Sequence, residues 1–204
     1  MITIIDYGLG NIQAFVNVYR RLHIPVRVAS DQDALAGAKK LILPGVGAFD
    51  HAMQRFNDSG MRTQVEALVH RDKVPVLGIC VGMQMLADSS EEGTLPGLGW
   101  VPGKVRSFRS VAGLERMALP HMGWNDVNPV GTCPLFDDLE DHIRYYFLHS
   151  FYFECQDPAH IIAQSQYGLG FSCAVAADNV YGVQFHPEKS HHFGVGLLKK
   201  FAEL

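Results

Sequence analysis

Length, composition and charge restrict the class of protein. The chain has 204 residues, enough for one fairly large domain that needs no disulfide or metal to stabilise it. Its net charge of −4 offers no basic field to nucleic acid or to an anionic membrane. No apolar run approaches the roughly 20 residues of a membrane span, and no secretory signal is found. We therefore expect a cytoplasmic protein that binds neither nucleic acid nor a membrane.

The first half of the sequence alternates short apolar strands with helical segments. The predicted strands cover residues 2–6, 25–28, 41–43 and 76–79, and the predicted helices cover residues 12–22, 49–56, 61–70 and 81–87. Asn11 precedes the first helix and is a candidate cap. This alternation is typical of a parallel sheet covered by helices on both faces.

The second half has a different character. Residues 98–135 are rich in glycine and proline. Short strands are predicted around residues 101–108, 145–148, 161–164, 173–177 and 180–185, before a closing helix around residues 193–201. Asp178 and Asn179 fit a two-residue hairpin turn. Residues 1–204 are therefore predicted to form one α/β domain, a mostly parallel central sheet flanked by helices with an added antiparallel region.

The strongest local signal for catalysis lies where the fourth predicted strand ends. Cys80 stands between Gly78 and Gly82, and a predicted helix follows directly. This is the pattern of a nucleophile elbow, whose tight turn needs small neighbours. The N-terminus of the following helix favours a thiolate. The alternative is a buried cysteine in a strand–helix turn. Cys133, Cys155 and Cys173 are interpreted as small buried apolar side chains.

A general base with its orienting carboxylate is predicted near the end of the chain. Pro187 favours an extended conformation at His186, and side chains two residues apart in extended chain project to the same side. Glu188 can therefore accept a ring N–H of His186 and leave the other ring nitrogen facing a nucleophile. The alternative interpretation is a surface turn.

A third candidate, for the oxyanion site, follows the third predicted strand. Gly45 and Gly47 flank Val46, so this peptide can approach a ligand closely or rotate. Its backbone N–H, together with that of Val81, is suited to stabilising a tetrahedral oxyanion. A simple turn at the end of a strand is equally compatible with these residues.

Together these segments resemble class I, triad-type glutamine amidotransferases, and among them the glutaminase subunits of imidazole glycerol phosphate synthase. The resemblance covers essentially the whole chain. The segments that carry it are residues 6–11, 43–49, 78–86, 90–92, 119–125, 147–152 and 183–190. The Cys elbow and His-Pro-Glu belong to the superfamily, whereas Pro-His-Met-Gly-Trp-Asn at residues 120–125 points to this subunit.

The resemblance implies a mechanism and a set of sites. Cys80 would attack the carboxamide of glutamine, His186 would move the protons, and Glu188 would orient His186. The implied substrate-binding residues are Gly45, Val46, Gly47, Val81, Gln84, His149, Ser150 and Phe151. Ammonia would pass to a (βα)8-barrel cyclase subunit, the heterodimer partner, in histidine biosynthesis. The implied partner-facing residues are Asn11, Trp124 and Lys189.

Several alternatives remain open from the sequence. Residues 153–157 and 189–193 are less typical of the family and resemble paralogues that supply ammonia for sugar amidination in surface-polysaccharide synthesis. A cysteine hydrolase of related fold would also use an elbow cysteine, and a catalytically dead binding subunit would typically lack a triad residue. No cofactor is expected. No metal site is expected either, because the adjacent His191 and His192 rarely converge on one ion.

Overall fold

The computed structural model describes residues 1–137, 139 and 142–204. Within them the strands are β1 Ile2–Ile5, β2 Val26–Ala29, β3 Leu41–Gly45, β4 Val76–Cys80, β5 Ser89–Ser90, β6 Gly103–Ser107, β7 His121–Asp126, β8 Asn128–Pro129, β9 Arg144–His149, β10 Phe151–Cys155, β11 Ile161–Tyr167, β12 Leu169–Ala177 and β13 Val180–Val183. The helices are α1 Ile12–Arg21, α2 Phe49–Asp58, α3 Arg62–Glu66, α4 Val81–Gln84 and α5 His191–Glu203. A wider π turn, Ala67–Arg71, continues α3.

The central sheet confirms the predicted α/β architecture. Its core is parallel, with strand order β2-β1-β3-β4-β13. An antiparallel region continues from β13 through β12 and β10 to β6, and β7 and β9 form a separate antiparallel pair. The hairpin turn between β12 and β13 lies at the predicted position, with Asp178 at φ +51°. The parallel core brings the carboxyl ends of β3, β4 and β13 to one edge, where open α/β sheets bind ligands.

Burial explains why the parallel strands lack apolar–polar alternation. Every residue of β1, β3 and β4 is buried, because helices cover both faces of the sheet. The amphipathic α1 buries Phe15, Val16, Val18 and Tyr19 against the core. None of the helices in the described ranges is long and apolar enough to cross a lipid bilayer.

Two local predictions are confirmed only in part. The helix predicted over residues 81–87 ends at Gln84, because the carbonyls of Met85, Leu86 and Ala87 accept hydrogen bonds from the backbone of residues 98–101 instead. Asn11 precedes α1, but its side chain makes no cap hydrogen bond; its backbone carbonyl accepts from the Ala14 N–H at 3.0 Å. The helix behind the nucleophile is therefore a single turn.

The strands β7 and β10 were not predicted. In β7 the inward face carries His121 and Asn125, while Met122 and Trp124 are exposed. The usual pattern of apolar residues facing in and polar residues facing out is therefore reversed, and periodicity cannot find such a strand. The register pairs His121 with His149 of β9, which puts two histidines side by side under the sheet surface.

Candidate active site

The turn at Cys80 has the geometry of a nucleophile elbow. Cys80 ends β4 with φ +56° and ψ −113°, a region that non-glycine residues rarely occupy and that clusters at functional sites. A Cβ added to Gly78 would lie 2.6 Å from the Gly82 carbonyl oxygen, and one added to Gly82 would collide with the Leu43 carbonyl. Both flanking glycines are thus required by close backbone approach, as the sequence pattern predicted.

The structure brings His186 and Glu188 together beside the elbow. His186 Nδ1 donates to Glu188 Oε1 at 2.9 Å, and both side chains are almost fully buried. Because β13 runs parallel to β4 as its neighbour, the chain leaving β13 carries His186 to the same edge as Cys80. The second carboxylate oxygen of Glu188 has no hydrogen-bond partner among the described residues. The His186 imidazole is therefore the main group with which the carboxylate interacts.

The electrostatics of His186 differ from those of an ordinary buried histidine. Burial alone would lower the pKa of His186, but its hydrogen bonds with Cys80 and Glu188 outweigh burial and raise that pKa to about 9. A protonated imidazole is thereby held between a sulfur nucleophile and a carboxylate at neutral pH. A protonated imidazole in this position has a proton ready for a leaving amine.

The remaining cysteines lack such surroundings. Burial raises the pKa of the Cys155 thiol to about 11, and it also raises the pKa of Cys133 and Cys173. All three therefore remain thiols near neutral pH and are poor nucleophiles. Cys80 is the cysteine with a histidine partner in the described part of the chain.

A cavity of about 280 Å³ opens over the nucleophile. Its lining residues are Val46, Gly47, Cys80, Val81, Gln84, Glu92, Pro120, Leu148, His149, Ser150, Phe151, His186 and Lys189. Every implied substrate residue except Gly45 is among them. A Cβ on Gly45 would lie 2.8 Å from the Val81 carbonyl carbon, so Gly45 packs behind the elbow rather than facing the cavity.

The candidate oxyanion loop is held at both ends and open in the middle. Before it, the Tyr7 hydroxyl donates to the Pro44 carbonyl at 2.6 Å. After it, the Phe49 N–H donates to Glu92 Oε2 at 2.8 Å. Between these anchors Gly47 has φ +87°, with no atom within 4 Å of the position of an added Cβ. The Val46–Gly47 peptide therefore has room to change orientation.

A chain of side-chain amides joins the far side of the cavity to the nucleophile. Gln84 Nε2 donates to Gln184 Oε1 at 3.0 Å and to the Phe151 carbonyl at 3.4 Å. Gln184 Nε2 in turn lies 3.8 Å from Cys80 Sγ. Gln184 was not among the predicted site residues, although it lies two residues before His186 in an otherwise apolar strand end. A buried polar residue at that position is the signal that could have found it.

His149 forms part of the same wall through its ring as well as its backbone. His149 Nδ1 donates to the Phe151 carbonyl at 2.7 Å, and His149 Nε2 lies 2.9 Å from His121 Nδ1. Burial lowers the pKa of His149 to about 3 and that of His121 to about 4. Both rings are therefore neutral at pH 7, in contrast to His186.

The implied partner-facing residues lie at the outer surface near the cavity. Trp124 is 38% exposed, stacks on His191 and meets Tyr146 edge-on. Lys189 lies 6.0 Å from the centre of the same Tyr146 ring and also lines the cavity. Asn11 is exposed beside Gly10, which packs closely on Pro44. Within the described ranges, no group of three or more side chains is arranged to hold a metal ion.

Comparison with known proteins assigns the family. Residues 3–203 match the family described as Glutamine amidotransferase class-I. The chain belongs to the class I glutamine amidotransferases. This amidotransferase is 70% identical to imidazole glycerol phosphate synthase subunit HisH of Bdellovibrio bacteriovorus and 48% identical to the subunit HisH of Leptospira interrogans, with full coverage of both chains in each comparison.

Solved structures give the same fold at low sequence identity. The amidotransferase superposes on a crystal structure titled glutamine amidotransferase with a TM-score of 0.75 and 18% identity, over 100% of this chain and 99% of the other. PurLQS from Thermotoga maritima gives a TM-score of 0.75 at 16% identity, over 99% and 97% of the two chains. These matches establish the fold alone, while the HisH relatives establish the closer family.

Proposed function

We propose that this amidotransferase is the glutaminase subunit of an imidazole glycerol phosphate synthase and that Cys80, His186 and Glu188 carry its chemistry. The observation that carries the proposal is the buried His186–Glu188 hydrogen bond of 2.9 Å beside an elbow cysteine at positive φ. The cavity over this group is of a size suited to one amino acid rather than to a polymer.

The reaction begins with attack of the Cys80 thiolate on the side-chain carbonyl carbon of glutamine. The carbonyl oxygen becomes an oxyanion, which the backbone N–H groups of Val46 and Val81 stabilise. Protonated His186 gives its proton to the amide nitrogen, the carbon–nitrogen bond breaks, and ammonia leaves a γ-glutamyl thioester on Cys80.

Hydrolysis then regenerates the enzyme. Neutral His186 takes a proton from water, whose oxygen attacks the thioester carbon. The carbon–sulfur bond breaks, glutamate leaves, and the sulfur departs as a thiolate beside a protonated His186. Glu188 accepts the Nδ1–H of His186 and stabilises the imidazolium that is present before the first half-reaction and forms again in the second.

The substrate's amino-acid end lies against the wall built by Gln84, Ser150 and Phe151. Both N–H groups of the Gln84 amide are occupied, by Gln184 and by the Phe151 carbonyl. Gln84 Oε1 is therefore oriented as an acceptor, which suits the α-ammonium group of glutamine. Neutral His149 contributes by fixing the Phe151 carbonyl rather than by carrying a charge.

The partner is a (βα)8-barrel cyclase subunit that receives the ammonia in histidine biosynthesis. Support comes from the full-length relatives, which are named imidazole glycerol phosphate synthase subunits. The exposed apolar side chains of Met122, Trp124 and Leu148 offer a docking surface beside the cavity mouth. The names of these relatives favour this pathway over sugar amidination in surface-polysaccharide synthesis.

The open loop at Val46–Gly47 suits a switch in activity. A peptide that holds its N–H away from the oxyanion at rest would lower the rate about 100- to 1000-fold, which is the effect of one missing oxyanion donor. The partner then needs to favour one of two peptide orientations by only a few kcal/mol. Such coupling prevents the release of ammonia when no acceptor is bound.

The test is steady-state glutamate release by the chain alone, with its cognate barrel subunit, and with that barrel subunit plus its acceptor ligand. We expect little release by the chain alone and a rise of about 100- to 1000-fold in the liganded complex. Equal rates in the three conditions would exclude the switch. Absence of glutamate release in all three would exclude the glutaminase and favour a cysteine hydrolase with another substrate.

A further inference from the structure

A buried chain of hydrogen bonds runs from the inward face of β7 to the wall of the cavity. It consists of Asn125 Nδ2 to His121 Nε2 at 3.1 Å, His121 Nδ1 to His149 Nε2 at 2.9 Å, and His149 Nδ1 to the Phe151 carbonyl at 2.7 Å. The triad does not use these side chains, and a simple packing role would not require their polar atoms to be aligned.

The direction of every hydrogen bond in the chain is determined by its two ends. The Phe151 carbonyl can only accept, so His149 carries its proton on Nδ1 and leaves Nε2 as an acceptor. His121 must then donate from Nδ1, and its Nε2 must accept from Asn125. Asn125 satisfies this, because its Nδ2 also donates to the Gln166 carbonyl at 2.9 Å, which fixes the amide orientation.

Both rings are held as neutral imidazoles. Burial lowers the pKa of each, so that each carries a single N–H at pH 7. His121 additionally stacks on Phe147 and Tyr167, with ring centroids 4.7 and 4.1 Å apart. The ring is thus fixed in place by stacking and fixed in tautomer by its two hydrogen bonds.

We propose that His121 is a positioning residue for glutamine binding: it donates to His149, which in turn holds the Phe151 carbonyl and the Gln84 amide in the orientation that receives the substrate. The proposal rests on the glutaminase function proposed above. The wall contacts the substrate's amino-acid end and not the reacting carbonyl. Loss of these hydrogen bonds therefore weakens substrate binding and leaves the chemical step nearly unchanged.

Two substitutions at position 121 separate hydrogen bonding from packing. His121→Phe keeps an aromatic ring for stacking and removes the donor. His121→Asn loses the ring but places an amide N–H near the position of Nδ1. In the complex with the barrel subunit, we expect His121→Phe to raise the KM for glutamine about tenfold, which is the effect of one hydrogen bond, with kcat within about threefold. His121→Asn should keep KM within about threefold of the wild-type value.

A residue that acts only by packing gives the opposite result. His121→Phe would then keep the wild-type KM and His121→Asn would raise it, and that outcome would overturn the proposal. An equal fall of kcat in both variants would also overturn it. His51→Phe is the matched control, because His51 is exposed on α2 and does not line the cavity.

Loss of the first link is a second, independent test. Asn125→Leu removes the donor to His121 Nε2 without adding a charge that could protonate the ring, so one restraint that keeps the His121 proton on Nδ1 is lost. We expect KM to rise, by less than in His121→Phe, because His149 still favours that tautomer. Asn128→Leu makes the same change on exposed β8 and should leave KM unchanged. A wild-type KM in Asn125→Leu would contradict the directed hydrogen bonds.

The tautomers can be observed without any activity. In the full chain with 15N-labelled histidine, long-range 1H–15N correlation should show Nδ1–H on both His121 and His149, with assignment by the loss of one signal set in His121→Phe. An Nε2–H tautomer of either ring would refute the chain. If the wild-type protein released no glutamate while both rings had Nδ1–H, the proposed function would be wrong, but the direction of the hydrogen bonds would be confirmed.

Discussion

The two walls of the cavity use the same residue type in opposite electrostatic states. On the reacting wall, Cys80 and Glu188 contact His186 and raise its pKa to about 9. On the binding wall, no anionic partner raises the pKa of His121 or His149. Burial lowers these pKa values to about 4 and about 3, and the charge of nearby His186 lowers that of His149 further. All three rings are buried, so burial alone does not determine the charge of a histidine. The presence of an anionic partner does.

This difference separates proton transfer from substrate binding. A histidine that must accept and donate protons near neutral pH needs a raised pKa, whereas a histidine that fixes a hydrogen-bond direction must stay neutral. Substitutions on the reacting wall should therefore lower kcat, and substitutions on the binding wall should raise KM or alter the stability at low pH.

The largest effect should come from the nucleophile. Cys80→Ser replaces the thiolate by an alcohol that is far less nucleophilic at neutral pH, and we expect turnover to fall by about 10^4-fold or more. A glutamine-analogue electrophile, followed by peptide mass spectrometry, should label Cys80. Cys155→Ser serves as the control and should retain full activity. Activity lost in parallel with labelling of another cysteine would place the nucleophile elsewhere.

The base and its carboxylate should be unequal. His186→Ala removes the proton carrier and should lower kcat by about 10^4-fold or more, whereas Glu188→Gln should lower it by about 100- to 10,000-fold. These rates are measured with the barrel partner present. Full activity in His186→Ala would rule out the triad.

The same pair predicts a change in the pH profile. Activity requires protonated His186, so it should be retained through neutral pH and lost as the pH rises through about 9. Glu188→Gln removes one of the interactions that raise this pKa, and the loss should therefore begin at lower pH. An unchanged alkaline limb would show that Glu188 does not act on His186.

A smaller effect is expected on the outer face of the binding wall. Trp124→Ala should weaken binding of the barrel subunit about 30-fold or more, because a large aromatic side chain at an interface typically contributes at least about 2 kcal/mol. The measurement is the Kd by titration calorimetry. Val130→Ala changes another exposed apolar side chain and is the control. An unchanged Kd would show that Trp124 is not part of the interface.

The last prediction concerns stability at low pH. The pKa of His121 is lowered from 6.5 to about 4, so between these values the unfolded chain binds a proton that the folded chain does not. The free energy of unfolding should therefore decrease as the pH falls from about 6.5 to about 4. His121→Phe should make this decrease shallower by about 1.4 kcal/mol per pH unit, measured by urea denaturation. Parallel curves would contradict the neutral state of His121.

The sequence by itself determined the parts of the protein whose signals are local. Continuous apolar strands predicted the parallel core, and the spacing of Gly78, Cys80 and Gly82 predicted the elbow, because a tight turn restricts its immediate neighbours. The contact of His186 with Glu188 was also predicted from neighbouring residues, but the extended geometry assumed for it holds only at His186. Pro187–Lys189 form a 3-10 turn, and this turn brings the carboxylate to the ring. Each of these inferences needs only a few consecutive residues, so no knowledge of the tertiary fold was necessary.

Only the tertiary structure decided how the residues of the binding wall are joined by hydrogen bonds. His121 and His149 are 28 residues apart, and their hydrogen bond depends on the register between β7 and β9. Gln84 and Gln184 are 100 residues apart, and their hydrogen bond depends on how α4 packs beside the end of β13. The end of α4 at Gln84 likewise depends on residues 98–101 competing for its carbonyls. A directed hydrogen-bond chain is a property of groups brought together by folding, and neither periodicity nor a local motif encodes it.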